Sequence, residues 1–170
     1  MCYTRPNRAA SGGFTLIETL VYLSLYAILF SGLLAGVYAL FESDARDQTA
    51  AMLEEEGNFL IAKIDATIDA ARSVQSPISS GDMLEIRQAD GTSIVIQGVS
   101  TQLRIETGGN DAETLNNSDT SVKGLNFTHR QSSNEGANPE SITATFTLIA
   151  TTSDGHLLSQ TFSTTDYLRI

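Results

Sequence analysis

The feature that most constrains this chain is an uncharged run of 23 residues from Thr19 to Phe41. At about 1.5 Å per helical residue the run spans about 34 Å, more than the roughly 30 Å hydrocarbon core of a bilayer. It contains no proline and is apolar on every helical face, and a globular chain of 170 residues is too small to bury such a helix. The run therefore predicts a helix that crosses a membrane.

The charges on either side of the run predict its orientation. Residues 1–13 carry two arginines and no acid, whereas acidic residues follow from Glu42 onward. The positive-inside rule places the N-terminus in the cytoplasm and the rest of the chain outside. Residues 42–170 carry 19 acidic and eight basic side chains, a net charge of −11. Because binding to nucleic-acid phosphates needs clustered Lys and Arg, this excess of acid argues against a nucleic-acid partner.

One acidic residue, Glu18, lies at the beginning of the apolar segment, four residues after Phe14. An acidic side chain costs about 2.5–3.5 kcal/mol at the centre of a membrane helix and less near its end. Two interpretations are open. Glu18 either sits at the level of the lipid headgroups or forms a charge pair within the membrane.

The residues SGGFTLIE, at positions 11–18 before the long apolar run, resemble the type IV prepilin signature. Type IV pilins, the pseudopilins of type II secretion and the competence pilins share it. The resemblance implies that a prepilin peptidase cuts between Gly13 and Phe14 and methylates the new N-terminal residue. It also implies that Glu18 guides assembly. Its carboxylate would pair with the Phe14 amine of a neighbouring subunit, an attraction of about 4 kcal/mol at 4 Å and a dielectric near 20, before desolvation.

The resemblance further implies a non-enzymatic subunit of a pilus or secretion filament without a cofactor. Its expected partners are the prepilin peptidase, other pilin subunits through the N-terminal helix, an inner-membrane assembly platform and membrane lipid. The expected location is the inner membrane, with the C-terminal domain periplasmic or extracellular, and then a filament or the cell surface. The absence of proline from residues 32–39 departs from many major pilins and favours a pseudopilin or minor subunit. The mature chain has no cysteine, unlike many major pilins, and it keeps Glu18, which tip-type K pseudopilins usually lack, so it resembles a minor pilin or pseudopilin of the J type.

Two alternatives remain open at this point. A secretory signal peptide also has a basic start and an apolar core, and Val37-Tyr38-Ala39 would serve as its cleavage site, which leaves Leu40 as the first mature residue. A core of 23 residues preceded by Glu18 is atypical of such peptides. The other alternative is an uncut, single-pass anchor that carries a surface domain for a carbohydrate or protein ligand.

Beyond the membrane-length run, the helical pattern becomes amphipathic. Apolar side chains recur at three-, four- and seven-residue spacing at Leu53, Leu60, Ile64, Ile68 and Ala71. This spacing predicts one helix from about Thr15 to Ser73, transmembrane over 14–41 and amphipathic within 42–76. The acidic triplet at 54–56 is interpreted as a solvated face, and Gly57 costs about 1 kcal/mol relative to alanine.

Residues 77–170 alternate between apolar and polar side chains with turn residues in between, the pattern of β-strands. The predicted strands are Met83–Gln88, Ser93–Val99, Gln102–Thr107, Val122–Arg130, Ser141–Ala150 and Leu157–Arg169. Predicted turns include Asp90-Gly91, Gly108-Gly109, Asn134-Glu135-Gly136 and Asp154-Gly155. An antiparallel sheet with one face against the long helix follows, which is an α+β fold.

Residues that could carry chemistry are few. The only cysteine, Cys2, excludes an internal disulfide, and the sequence has no nucleophile elbow, phosphate-binding loop or zinc spacing. The two histidines, His129 and His156, are expected at the surface. The oxygen-rich loop at 108–121 offers Asp111, Glu113 and Asp119 as calcium candidates, but its spacing is not that of an EF-hand and favours a solvated loop.

Overall fold

A computed structural model describes residues 14–132 and 139–168. Helix α1 spans Leu16–Asp69, 54 residues without a break. The single long helix is therefore confirmed, but it ends four residues before the predicted Ser73. The chain continues as strand β1, Ala71–Ser76, because its backbone pairs with a neighbouring strand instead of extending the helix. The predicted leader at 1–13 and the turn at 134–136 lie outside the described residues.

Within the described residues, eight further strands follow β1: β2 (Ser80–Gly81), β3 (Met83–Gln88), β4 (Ser93–Val99), β5 (Gln102–Thr107), β6 (Glu113–Thr114), β7 (Thr120–Arg130), β8 (Ser141–Thr151) and β9 (Leu157–Tyr167). The bounds of β3, β4 and β5 match the prediction, and those of β7 and β8 differ by at most two residues at either end. Strand β9 begins at the predicted Leu157, and its predicted end at Arg169 lies outside the described residues. Strands β2 and β6 were not predicted, because a two-residue strand is too short to show alternation.

The strands form two antiparallel sheets, in the orders β1-β3-β4-β5-β6 and β2-β7-β8-β9. The α+β class is confirmed, but the prediction of one sheet is wrong. Alternation identifies which segments are strands and not which strands pair. The 12 residues between β5 and β7 begin with Gly108 and Gly109, which both adopt positive φ, and include the short strand β6. That connection is long enough for β7 to start a second sheet with β8.

The apolar side chains of α1 and of both sheets form one core. The helix contributes Leu53, Leu60, Ile64 and Ile68, each at most 1% exposed. Fully burying a side chain of this kind contributes about 1.5–3 kcal/mol. All buried residues of α1 lie between Leu53 and Ile68. Contacts divide the chain into two units at Glu42 and Ser43, and the core belongs to the second unit.

Gly57 allows close packing in the core, although glycine has a low helix propensity. A Cβ at this position would lie 2.1 Å from Cζ of Phe162 on β9. The missing side chain therefore lets the Phe162 ring lie directly against the helix backbone. Phe162 in turn stacks on Phe146 of β8, with ring centroids 5.6 Å apart.

Candidate functional site at the start of the N-terminal helix

The first turn of α1 is capped by its own sequence. The Thr15 carbonyl accepts hydrogen bonds from the backbone N–H of Glu18 at 3.1 Å and of Thr19 at 3.2 Å. The Thr15 hydroxyl also accepts from the Glu18 N–H at 3.4 Å. Threonine followed three residues later by glutamate is the spacing of a capping box. This signal in the sequence places the first helical residue at Leu16, where α1 begins.

Phe14, the residue expected to become the N-terminus, precedes this cap. Its side chain is 74% exposed, and its ring lies edge-on to Tyr22 with centroids 6.3 Å apart. Gly13, on the other side of the expected cut, lies outside the described residues. Phe14 and Glu18 are thus one helical turn apart in the sequence, with the capping Thr15 between them.

Glu18 is half-buried and lies in a segment without positive side chains. No Lys, Arg or His occurs between Phe14 and Glu42. The described residues give Glu18 a backbone hydrogen bond but no salt bridge. A cation that neutralises Glu18 would therefore have to come from outside this segment.

The segment from Phe14 to Glu42 has the surface of a membrane helix. It is long and apolar enough to span a bilayer, and its most apolar stretch has no buried residue. The hydroxyls of Thr19, Ser24 and Ser31 each donate to the carbonyl three residues earlier at 2.8 Å. These bonds give the hydroxyl groups a hydrogen-bond partner, which lipid does not provide.

The predicted solvated face at 54–56 holds for two of its three members. Glu54 and Glu55 are exposed, but Glu56 is only 6% exposed. It shares the buried stripe with Leu53 and Leu60, three residues before it and four after it. One carboxylate oxygen, Oε1, accepts from the Asn117 N–H at 2.6 Å and from the Thr120 hydroxyl at 2.7 Å. Glu56 thus ties α1 to the loop that precedes β7.

Asn116 organises the same loop from within. Its buried side chain accepts from the Leu103 N–H at 2.8 Å and donates to the Thr120 carbonyl at 3.0 Å. The calcium candidates Asp111, Glu113 and Asp119 are all exposed. Among the described residues, none of them joins a group of three acidic or histidine ligands close enough to share an ion. The loop therefore has structural polar contacts but does not gather its predicted calcium ligands.

The surface prediction for His129 is wrong. Its ring is 8% exposed and lies between the Pro77 carbonyl, 3.1 Å from Nδ1, and the Glu140 carboxylate, 2.6 Å from Nε2. A buried polar ring must find partners, and these two make it a structural cross-link. His156 is exposed as predicted. Beside it, a hydrogen bond from the Thr152 hydroxyl lowers the pKa of Asp154.

No protein-family model, curated protein or solved structure matches this chain.

Proposed function

We propose that this chain is a non-enzymatic structural subunit, a minor pilin or pseudopilin, of a type IV pilus or a type II secretion filament. The observation that carries the proposal is the string SGGFTLIE at 11–18, directly before a helix of membrane length. A processing motif placed at the cytoplasmic end of such a helix is accessible to a peptidase there. The same motif inside a folded domain would not be.

Processing would remove residues 1–13. Glycine before the cut has no Cβ, so a protease can approach its backbone closely. Phe14 is exposed and precedes the helix cap, so cleavage before it would leave α1 with its first turn intact. The new α-amine, methylated by the same peptidase, would lie one turn from Glu18.

Assembly would then use Glu18. A half-buried carboxylate in a segment without cations is costly in lipid. The Phe14 amine of an adjacent subunit would offset that cost and would fix the register between neighbouring helices. In this proposal the subunit waits in the inner membrane with its N-terminus in the cytoplasm. It enters the filament through an assembly platform, with the β domain outside the membrane.

The first experiment identifies the mature N-terminus in cells that contain a prepilin peptidase. We expect N-methylated Phe14, established by intact mass and N-terminal sequencing, and we expect Gly13→Ala to leave the leader attached. A mature chain that begins at Leu40 would instead establish signal-peptide cleavage after Ala39. A chain that keeps residues 1–13 in the presence of the peptidase would favour the anchored surface domain.

The second experiment separates the charge of Glu18 from its place in the capping box. Glutamine also serves at the third position of a capping box, so Glu18→Gln keeps the cap and removes the charge. Thr15→Ala removes the cap and keeps the charge. If the charge pairs with an amine, Glu18→Gln should be processed but not assembled into filaments, whereas Thr15→Ala should still assemble. Normal assembly of Glu18→Gln would exclude the pairing role.

A further inference from the structure

A cleft of about 310 Å³ opens between α1 and the loop that follows β6, within the unit from Ser43 to Ile170. Its lining combines three apolar and three polar residues: Met52, Phe59 and Leu115 with Glu55, Glu56 and Asn117. Phe59 is 54% exposed although it lies in the part of α1 that supplies the core. The cleft thus presents an exposed aromatic ring beside two consecutive carboxylates.

Glu56 gives this cleft an unmet polar requirement. The residue is more than nine-tenths buried, and its Oε1 already accepts two hydrogen bonds. Its other oxygen, Oε2, is buried and has no hydrogen-bond donor among the described residues. Leaving a buried charged acceptor unpaired is unfavourable, and native proteins seldom do so without a reason. Because Oε2 has almost no accessible surface, a ligand in the cleft would remove this cost by drawing the Glu56 carboxylate toward its own donor.

We propose that the cleft binds an arginine side chain of a protein partner. A guanidinium is planar, pairs with carboxylates through several N–H groups and stacks on aromatic faces, which fits Glu55, Glu56 and Phe59. The arginine stem and its apolar neighbours would pack against Met52 and Leu115. A compact, strongly hydrated ammonium group or metal ion would not use this apolar half.

Charge complementarity favours a partner of different sequence over a second copy of this chain. The unit from Ser43 to Ile170 has 18 acidic and eight basic side chains, a net charge of −10. Two copies of such a unit repel each other, whereas a basic surface is attracted to it. The site lies outside the processing segment, so the proposal holds whether or not Gly13 is the cleavage point.

The chain's few methionines allow a direct test by NMR. With the full chain in detergent and ¹³C-labelled methionine methyl groups, only Met1, Met52 and Met83 give signals. Met52 lines the cleft, and Met83, on β3, does not line it and is an internal reference. The probe is the peptide acetyl-Leu-Arg-Leu-amide. Its control replaces arginine by citrulline, which has nearly the same shape without the charge.

The proposal expects a saturable shift of the Met52 signal with the arginine peptide and none at Met83. Binding should be about tenfold weaker with citrulline, a loss of about 1.4 kcal/mol, since a charged hydrogen bond is stronger than a neutral one. Glu56→Gln should show the same loss, whereas Glu54→Gln, an exposed neighbour that does not line the cleft, should bind normally. Should Glu56→Gln fail to fold, Phe59→Ala must weaken binding in its place.

Three outcomes would overturn the proposal. These are the absence of a saturable Met52 shift at millimolar peptide, equal binding of the arginine and citrulline peptides, and binding that survives both Glu56→Gln and Phe59→Ala. A calcium chloride titration is run in parallel. A Met52 shift with calcium and none with the arginine peptide would make the cleft a metal site instead.

Discussion

At the scale of single residues, Gly57 determines how closely α1 approaches β9. The ring of Phe162 occupies the space where a Cβ of residue 57 would lie. Three ring atoms would be only 2.1–2.4 Å from that Cβ. That ring is also stacked on Phe146, which limits how far it can move away from the helix. The glycine therefore trades helix propensity for a close contact in the core.

Gly57→Ala should accordingly lower the free energy of unfolding by about 1–3 kcal/mol, because overpacking outweighs the gain in propensity. Chemical denaturation followed by the circular dichroism of the β domain measures this. The matched control is Gly32→Ala in the same helix, where a Cβ meets nothing within 4 Å. A second change, Phe162→Leu, should be less harmful in Gly57→Ala than in the parent. Equal stability of Gly57→Ala and the parent would refute the packing role.

The positions of some individual residues could not be predicted from the sequence. Glu56 could have been assigned to the interior from its spacing to Leu53 and Leu60, but a triplet of glutamates is usually a solvated face. His129 gave no local signal, because its partners Pro77 and Glu140 are 52 and 11 residues away. Contacts of that kind depend on strand pairing, which composition does not reveal. The capping box formed by Thr15 and Glu18, in contrast, can be recognised from the sequence.

At the scale of elements, α1 and β9 meet at an acidic side chain as well as at Gly57. Asp65 of α1 accepts a hydrogen bond from the Thr164 hydroxyl at 2.9 Å. Burial raises the pKa of Asp65 above its ordinary value, the Thr164 hydrogen bond opposes the rise, and the charges of Asp166 and Asp69 add to it. The folded chain therefore holds this proton to a higher pH than the unfolded chain.

The sign of the effect on stability follows from linkage. Because the folded state binds more protons between the unfolded and the raised pKa, stability falls as pH rises through that window. Asp65→Asn keeps an acceptor for Thr164 and cannot ionise. Its stability relative to the parent should increase as pH rises from about 4 and then become constant. Denaturation over a pH series measures this difference, with Glu54→Gln as the exposed control; a difference that is constant or decreasing with pH would contradict it.

Element prediction succeeded where one face of a strand is buried over several residues. In β8, buried Ile142, Ala144, Phe146 and Leu148 alternate with threonines and other half-buried residues, and this pattern marks the strand. It failed for β1, where Ala71 continues the apolar stripe of α1 and no turn residue separates helix from strand. The bulge in β7 between Lys123 and Asn126, at a glycine with positive φ, likewise has no signature in the alternation.

At the scale of the whole molecule, the chain has one segment suited to lipid and one suited to water. The segment from Phe14 to Glu42 exposes apolar side chains along its whole length, whereas the remainder encloses a core and carries nearly all of the acidic residues. This division was predictable from hydropathy and charge alone, because both properties change within a few residues of Glu42. The division of the β domain into two sheets was not, because it depends on long-range pairing.

The division predicts that the unit from Ser43 to Ile170 is stable without the membrane segment. Every buried residue of α1 lies at or after Leu53, so removing residues 1–42 takes away none of the core residues that the structure describes. Serine is also a favourable helix cap, so α1 can begin at Ser43. The fragment should be soluble without detergent and should melt within about 4 °C of the full chain in the same detergent, the shift that about 1 kcal/mol produces in a domain of this size.

The apolar side chains before Glu42 are exposed, and their loss should improve solubility without changing the packing around Leu60 and Ile64. A fragment that aggregates, or that melts far below the full chain, would mean that residues 14–42 support the core.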